Sequence, residues 1–200
     1  MRDVHLTGRL VQLRPLVESD RTRIIEIRRT DDVARWWRGD DLDEEFDDGL
    51  TDDELHQFAI ENSERMLVGM IQFSEEPDPD YRHAQIDLFV DPSEHRRGIA
   101  SDAIATLVQH LVDERGHHRF VIDPSVDNDA AVACYTKVGF RTVGTMRAYE
   151  RRADGTWSDG LLMELLATDR VVRSSEKDTS NARCATVRCR GAGVDARGSR

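Results

Sequence analysis

The sequence is poor in cysteine and contains no apolar run of membrane-spanning length. Its 200 residues include three cysteines, Cys134, Cys184 and Cys189. An odd, sparse set does not suit a disulfide framework and fits a reducing compartment. No histidine lies near Cys184 and Cys189, so we predict no metal site there. No apolar run approaches the roughly 20 residues of a membrane helix, and the N-terminus lacks a secretory apolar segment. We therefore expect a cytoplasmic protein with no membrane partner.

Positive charge is outnumbered by negative charge over most of the chain. The net charge is −11, yet residues 167–200 hold eight Lys/Arg and four Asp/Glu, a net of +4. The first 166 residues therefore carry −11 − 4 = −15. Phosphate would be repelled, so nucleic acid is not an expected partner, whereas a cationic partner is favoured. Ten of the fifteen residues 40–54 are acidic, which predicts either a solvated loop or a surface that attracts cations.

The apolar patterning predicts an α/β chain followed by a tail. Predicted strands cover residues 10–16, 58–62, 66–74, 85–90, 119–122, 140–151 and 160–166. Predicted helices begin after Ser19 or Asp20, near Gly98, and after Asp127 or Asn128. A looser segment covers 31–37, and residues 75–83 form a loop. The unit 85–122 is strand, helix, strand, so its strands should be parallel. Beyond Asp169 the periodicity stops, which predicts a basic, disordered tail over 169–200 after a domain of 1–168.

A basic turn lies between a predicted strand and a predicted helix, in His95-Arg96-Arg97-Gly98-Ile99-Ala100. Gly98 lets the backbone approach a ligand closely. Amides at the N-terminus of the following helix bind a diphosphate, helped by the helix dipole and by Arg96 and Arg97. Alone, the segment also fits an ordinary basic turn.

A second segment has the composition of a capped amphipathic helix with a glycine stop. It contains Asn128, Ala131, Tyr135, Lys137, Gly139 and Phe140. Alone, it makes Tyr135 a core aromatic. Together and in this order, the two segments resemble the pyrophosphate loop and the second signature of the GNAT superfamily of acetyl-coenzyme A-dependent N-acetyltransferases, over roughly residues 10–166. His95 departs from the Gln or Arg usual at the start of that loop, a departure for which Arg96 and Arg97 can compensate.

Shorter stretches are similar to the aminoglycoside 6'-N-acetyltransferases within this superfamily. Asp123-Pro124-Ser125 resembles their run after the fifth strand, and Trp36-Trp37 resembles their early tryptophan pair. Glu75-Glu76-Pro77-Asp78, followed by Asp87, resembles their acidic loop and the aspartate opposite the reacting amine. The alternatives are a tryptophan pair in the core, Asp123 as a turn cap, and Asp87 as a solvent-facing aspartate at a sheet edge.

The resemblance implies a mixed, mostly antiparallel central sheet flanked by helices, with splayed fourth and fifth strands. It implies acetyl-coenzyme A as co-substrate, no metal, and direct acetyl transfer. Tyr135 is then the acid, because its ordinary pKa of about 10 lies near that of a thiol. Asp87 is the candidate base. A carboxylate with a pKa of about 4 is a poor base for ammonium, so anchoring the amine is the alternative role.

The resemblance also assigns binding residues. The coenzyme contacts are Leu88, Phe89, Val90, His95, Arg96, Arg97, Gly98, Ile99, Ala100, Ser101, Asn128 and Ala131. The acceptor contacts are Trp36, Trp37, Glu75, Glu76, Asp78, Asp87 and Asp123. Outside these sets, His117 and His118 fit a solvated turn better than a metal site.

These observations predict acetylation of the 6'-amine of aminoglycosides, an antibiotic-resistance activity on a polycationic small molecule. One alternative is another amine, such as a protein N-terminus or a polyamine. A second alternative is a non-catalytic module that binds acetyl-coenzyme A. Exposed edges at the C-terminal strands of this fold leave a homodimer open.

Overall fold

The computed structural model describes residues 4–152 and 154–169, which form one mixed sheet with helices on both faces. The strands are β1 Leu6–Thr7, β2 Gln12–Pro15, β3 His56–Glu61, β4 Leu67–Glu76, β5 His83–Val90, β6 Arg119–Ile122, β7 Arg141–Arg151 and β8 Trp157–Leu166. The helices are α1 Arg21–Arg28, α2 Asp31–Ala34, α3 Leu42–Thr51, α4 Ile99–Asp113 and α5 Asp129–Val138. The predicted tail lies outside the described residues except for Asp169.

The strands follow the order β1-β2-β3-β4-β5-β6-β8-β7, and every pair is antiparallel except β5 with β6. The parallel pair follows from the crossover through α4, which returns the chain to the end of the sheet where β5 began. The predicted mostly antiparallel sheet and the parallel unit are thus confirmed. None of the described helices is both long and apolar enough to cross a membrane.

Two apolar clusters hold the helices to opposite faces of the sheet. The larger contains the predicted stripe of α4, whose buried members are Ile99, Ala103, Ile104, Leu107, Val108 and Leu111. The smaller packs α1 and α3 against the middle strands, through Ile24, Ile27 and Phe46. Because β4 and β5 have helices on both faces, side chains of both parities are buried along them.

The acidic run forms a helix, so the expectation of a solvated loop over 40–54 was wrong. Leu42, Phe46 and Leu50 recur at helical spacing and give α3 an apolar face, with Phe46 buried in the smaller cluster. Asp41 caps the helix, since its carboxylate accepts the backbone N–H groups of Asp43 and Glu44, each at 3.1 Å.

Two smaller expectations also need correction. Asp20 precedes α1 but does not cap it, because its carboxylate accepts hydrogen bonds from the Arg14 guanidinium at 2.6 and 2.8 Å. Glu75 and Glu76 belong to the end of β4 rather than to a loop. Residues 77–82 of the predicted loop connect β4 to β5, and His83 is the first residue of β5.

Candidate functional site

The site begins where β5 and β6 part. Within the described residues, their ladder consists of two pairs, Ala84 with Phe120 and Gln85 with Val121. β5 continues to Val90 without β6 beside it, while its other edge stays paired with β4. The fourth and fifth strands predicted from sequence correspond to β5 and β6, so the predicted splay between them is confirmed. The last residues of β5, which include the predicted contacts Leu88, Phe89 and Val90, border the opening.

The loop from β5 to α4 has the backbone of an anion-binding turn. Gly98 (φ 84°) and Arg96 (φ 61°) adopt left-handed conformations. Alternating conformations of this kind turn backbone N–H groups inward, and the N-terminus of α4 adds further free amides. His95, Arg96 and Arg97 are all exposed here. The His95 ring contacts the Val90 carbonyl at 2.9 Å, which ties the loop back to the strand. The residues present therefore fit a diphosphate.

Gly98 is constrained from two sides. Its φ of 84° is one that side chains disfavour, and a Cβ there would lie 3.3 Å from Leu10 Cδ1. Behind the loop, Ser101 Oγ lies 3.3 Å from Cys134 Sγ and so joins α4 to α5. Asn128 caps α5, as one of the two caps predicted from sequence, because its side-chain oxygen accepts the Ala131 N–H at 3.1 Å.

Two carboxylates meet at the opening. Asp87 lies on β5 opposite Gln72 of β4, and Asp123 directly follows β6. Burial, together with the charge of Asp123, raises the pKa of Asp87 to about 6, against a hydrogen bond from Gln72. Gln72 is itself oriented by Gln57, whose amide donates to it at 3.0 Å. Asp87 is therefore a stronger base than an ordinary aspartate.

Tyr135 lies in α5 at the same opening. Its side chain is buried, and its ring centroid is 6.2 Å from that of Phe140. Burial, with Cys134, Asp87 and Asp123 nearby, raises the pKa of Tyr135 well above its ordinary value. The phenol therefore stays protonated at any physiological pH and can act as a hydrogen-bond donor.

The predicted tryptophan pair divides into two different environments. Trp37 packs edge-on against Phe89 with ring centroids 5.0 Å apart, and it lines a cavity shared with α1, α3 and β4. Trp36 is half-buried beneath the Arg35 guanidinium, 4.6 Å away. Gln72, which lies opposite Asp87 in the sheet, lines the same cavity as Trp37. Only Trp37 thus reaches the region of the carboxylate pair.

The acidic residues at the end of β4 have partners within the chain. Glu75 accepts hydrogen bonds from Arg115 and from His117, which hold its pKa at about 2 although burial opposes this. Glu76 accepts the Asp78 N–H at 3.0 Å and so closes a turn. Glu75 is three positions along β4 from Gln72, so this group lies some 10 Å from Asp87.

Three residues near the carboxylate pair were not expected from sequence. Gln57 and Gln72 could have been found from the hairpin register, which places Gln72 opposite Asp87. Tyr149, which donates a hydrogen bond to Asp123, gave no sequence signal. The expectation of a solvated turn at His117 was wrong, because its side chain is fully buried against Glu75. Among residues 4–152 and 154–169, no cluster of His, Cys, Asp and Glu could hold a metal ion.

Comparison with known proteins places this geometry in context. The model of the acetyltransferase (GNAT) family matches residues 21–140. The chain is 31% identical over 90 residues to N-acetyltransferase 8 of Homo sapiens, a match that covers 44% of this chain and 39% of that protein. It is 26% identical over 155 residues to aminoglycoside N(6')-acetyltransferase type 1 of Klebsiella pneumoniae, covering 68% and 76% of the two chains.

A third relative is spermidine N(1)-acetyltransferase of Vibrio cholerae. It is 22% identical over 168 residues, which cover 81% of this chain and 96% of that protein. The crystal structure of spermidine N-acetyltransferase from Vibrio cholerae with CoA and spermine matches with a TM-score of 0.69 at 20% identity, over 80% and 97% of the chains. At this identity the structural likeness establishes the fold alone.

Replacing Asp87 should stabilise the fold at high pH. Since its folded-state pKa is about 6 against an ordinary 3.8, ionisation costs folding free energy. That cost is absent below about pH 4, grows between pH 4 and 6, and is complete above. Asp87→Asn keeps the acceptor for Gln72 and should add about 1–2 kcal/mol at pH 8, less than the full shift implies because Asp87 is half-buried.

Urea denaturation at pH 8 and pH 4 measures this effect, with Asp80→Asn in the exposed β4–β5 loop as the matched control. The control should change stability little at either pH. Equal effects of Asp87→Asn on stability at the two pH values would show that folding does not raise the pKa of Asp87.

Proposed function

The chain belongs to the acetyltransferase (GNAT) family, and from that premise we propose that it acetylates the 6'-amine of aminoglycosides. Family membership makes it an acyltransferase that uses acetyl-coenzyme A to acetylate an amine. The observation that carries the finer proposal is the pair Asp87 and Asp123 beside Tyr135, at the opening between β5 and β6. A cationic amine would bind between the two carboxylates.

The coenzyme would be held along the loop and the open end of β5. Residues 96–101 would bind the diphosphate through backbone amides, with the Arg96 and Arg97 side chains adding charge, and His95 would keep the loop closed. Leu88, Phe89 and Val90 would offer backbone groups to the pantetheine arm. Asn128 and Ala131 would shape the neighbouring helix end. The bound acetyl-coenzyme A supplies an activated thioester.

The two aspartates would divide the work on the acceptor. The Asp123 carboxylate would hold the ammonium form by Coulomb attraction. Asp87, with its pKa near 6, would accept the proton that must leave before the nitrogen can attack, directly or through one water. A base with a pKa close to the working pH combines a useful ionised fraction with real proton affinity.

Tyr135 would donate its proton to the departing thiolate. Its raised pKa makes it a weaker acid than an ordinary tyrosine, so its contribution rests on close hydrogen bonding as negative charge develops on sulfur. Cys134 is not required as a nucleophile, because direct transfer needs none. The pKa of its thiol is raised by burial, which further limits its reactivity.

The substrate class is inferred from charge and shape. The acidic surface favours a polycation, and the wall with Trp37 could carry a sugar ring or a methylene chain. A polyamine is therefore the second candidate, since a spermidine acetyltransferase is among the relatives and apolar side chains dominate this cavity. A protein N-terminus and a binding-only module remain weaker alternatives. A cytoplasmic location and a resistance role belong to the leading proposal.

Tyr135→Phe should lower turnover by roughly 10²–10⁴-fold, the usual worth of acid–base catalysis, with little change in affinity for coenzyme A. Phenylalanine fills the same buried space, so folding should survive. Turnover from thiol release and affinity from calorimetric titration decide this, with the exposed Tyr81→Phe as matched control. Unchanged turnover would make Tyr135 a packing residue and favour the binding module.

A panel of amines tests the acceptor. Thiol release from acetyl-coenzyme A should be fastest with an aminoglycoside bearing a 6'-amine, and the matching 6'-hydroxyl compound should not be acetylated at that position. The Michaelis constant should rise with salt, because exposed charges are screened within about 8–10 Å. Preference for spermidine would establish the polyamine alternative. Acetylation of peptide N-termini alone would exclude both polycations.

A further inference from the structure

The last hairpin of the sheet is irregular beside the carboxylate pair. Between Met146 and Glu150, β7 advances four residues while β8 advances two. Ala148 lies in this stretch with φ 49°, a conformation that side chains disfavour. Its N–H donates to Asp159 Oδ1 at 2.8 Å, which fixes the bulge. Bulges of this kind redirect a side chain, and the residue redirected here is Tyr149.

Tyr149 reaches Asp123 because β8 has a glycine beneath it. A Cβ at Gly160 would lie 2.7 Å from Tyr149 Cδ1, so the ring packs directly over the glycine backbone. From there the hydroxyl donates to Asp123 Oδ2. Gln85 approaches the same oxygen only at 3.5 Å, at the limit for a hydrogen bond. Tyr149 is therefore the stronger of these two donors.

We propose that Tyr149 is a positioning residue for the acceptor amine: its hydroxyl fixes the Asp123 carboxylate in one orientation beside Asp87. The bulge directs the Tyr149 side chain toward Asp123, and Gly160 leaves room for its ring. The role rests on the proposed function in one respect, since it requires an amine that binds between the two aspartates.

The charged surroundings support a permanent donor. The groups that face Asp123 are Asp87 from β5, Tyr135 from α5 and Tyr149 from β7, with Glu150 next along β7. The hydrogen bond to Asp123, with burial and the charges of Asp123, Asp87 and Glu150, raises the pKa of Tyr149 to about 12. Without the hydroxyl, Asp123 would lose its fixed place beside Asp87, and its charge would raise the pKa of Asp87 less.

Tyr149→Phe tests the proposal, measured with whichever amine the wild type acetylates fastest. We expect the Michaelis constant for the amine to rise about tenfold and that for acetyl-coenzyme A to stay unchanged. The acid limb of kcat/KM, which follows the protonation of Asp87, should move to lower pH, because an Asp123 charge that is no longer fixed raises the pKa of Asp87 less. A merely structural tyrosine would lower the melting temperature without moving that limb.

Gly160→Ala is the second variant, since its methyl would displace the ring while the hydroxyl remains. It should change the acceptor constant and the acid limb in the same direction, and Tyr81→Phe should change neither. Wild-type acceptor constants and an unmoved limb in folded Tyr149→Phe would overturn the proposal. Because the comparison uses any accepted amine, failure of the aminoglycoside proposal appears separately, in the wild-type preferences.

Discussion

The site depends on a parallel strand pair that is hydrogen-bonded over only two residues. β5 and β6 must run parallel because α4 crosses between them, yet their ladder ends at Gln85 and Val121. The opening that follows brings together elements far apart in sequence: the N-terminus of α4, the start of α5, and the strand ends that carry Asp87 and Asp123. An acetyltransferase needs a thioester, an amine and a proton donor to meet, and this opening gives them one place.

The second constraint is electrostatic. Two ionised carboxylates in one site repel each other, and this repulsion raises the pKa of one of them. Here burial and the charge of Asp123 raise the pKa of Asp87, whereas Asp123 accepts a hydrogen bond from the Tyr149 hydroxyl. Some of the other acidic residues have cationic partners within the chain: Glu45 pairs with Arg28, and Asp47 with Arg21. The site therefore depends on a few placed charges as well as on the net charge.

Sequence reasoning predicted what periodicity and local motifs determine. The α4 stripe, the glycine turn at Gly98 and the capped helix after Asn128 follow from local rules. It failed where tertiary contacts decide. The acidic run forms α3 because Phe46 is buried, and Glu75 extends β4 instead of lying in a loop, with Arg115 and His117 as partners. Tyr149 was unpredictable because a bulge of two extra residues, which the sequence does not reveal, redirects its side chain.

The different roles of the two aspartates depend on Asp123 raising the proton affinity of Asp87. A carbon-13 NMR titration of the aspartate carboxyls measures the pKa of Asp87 directly, with Asp87→Asn to identify its signal. No acceptor amine is present, so the titration of an amine does not interfere. We predict a midpoint near pH 6 for Asp87 in the wild type and a clearly lower midpoint in Asp123→Asn, where the neighbouring charge is gone. A midpoint of about 4, the ordinary aspartate value, in both proteins would show that Asp123 does not raise the pKa of Asp87.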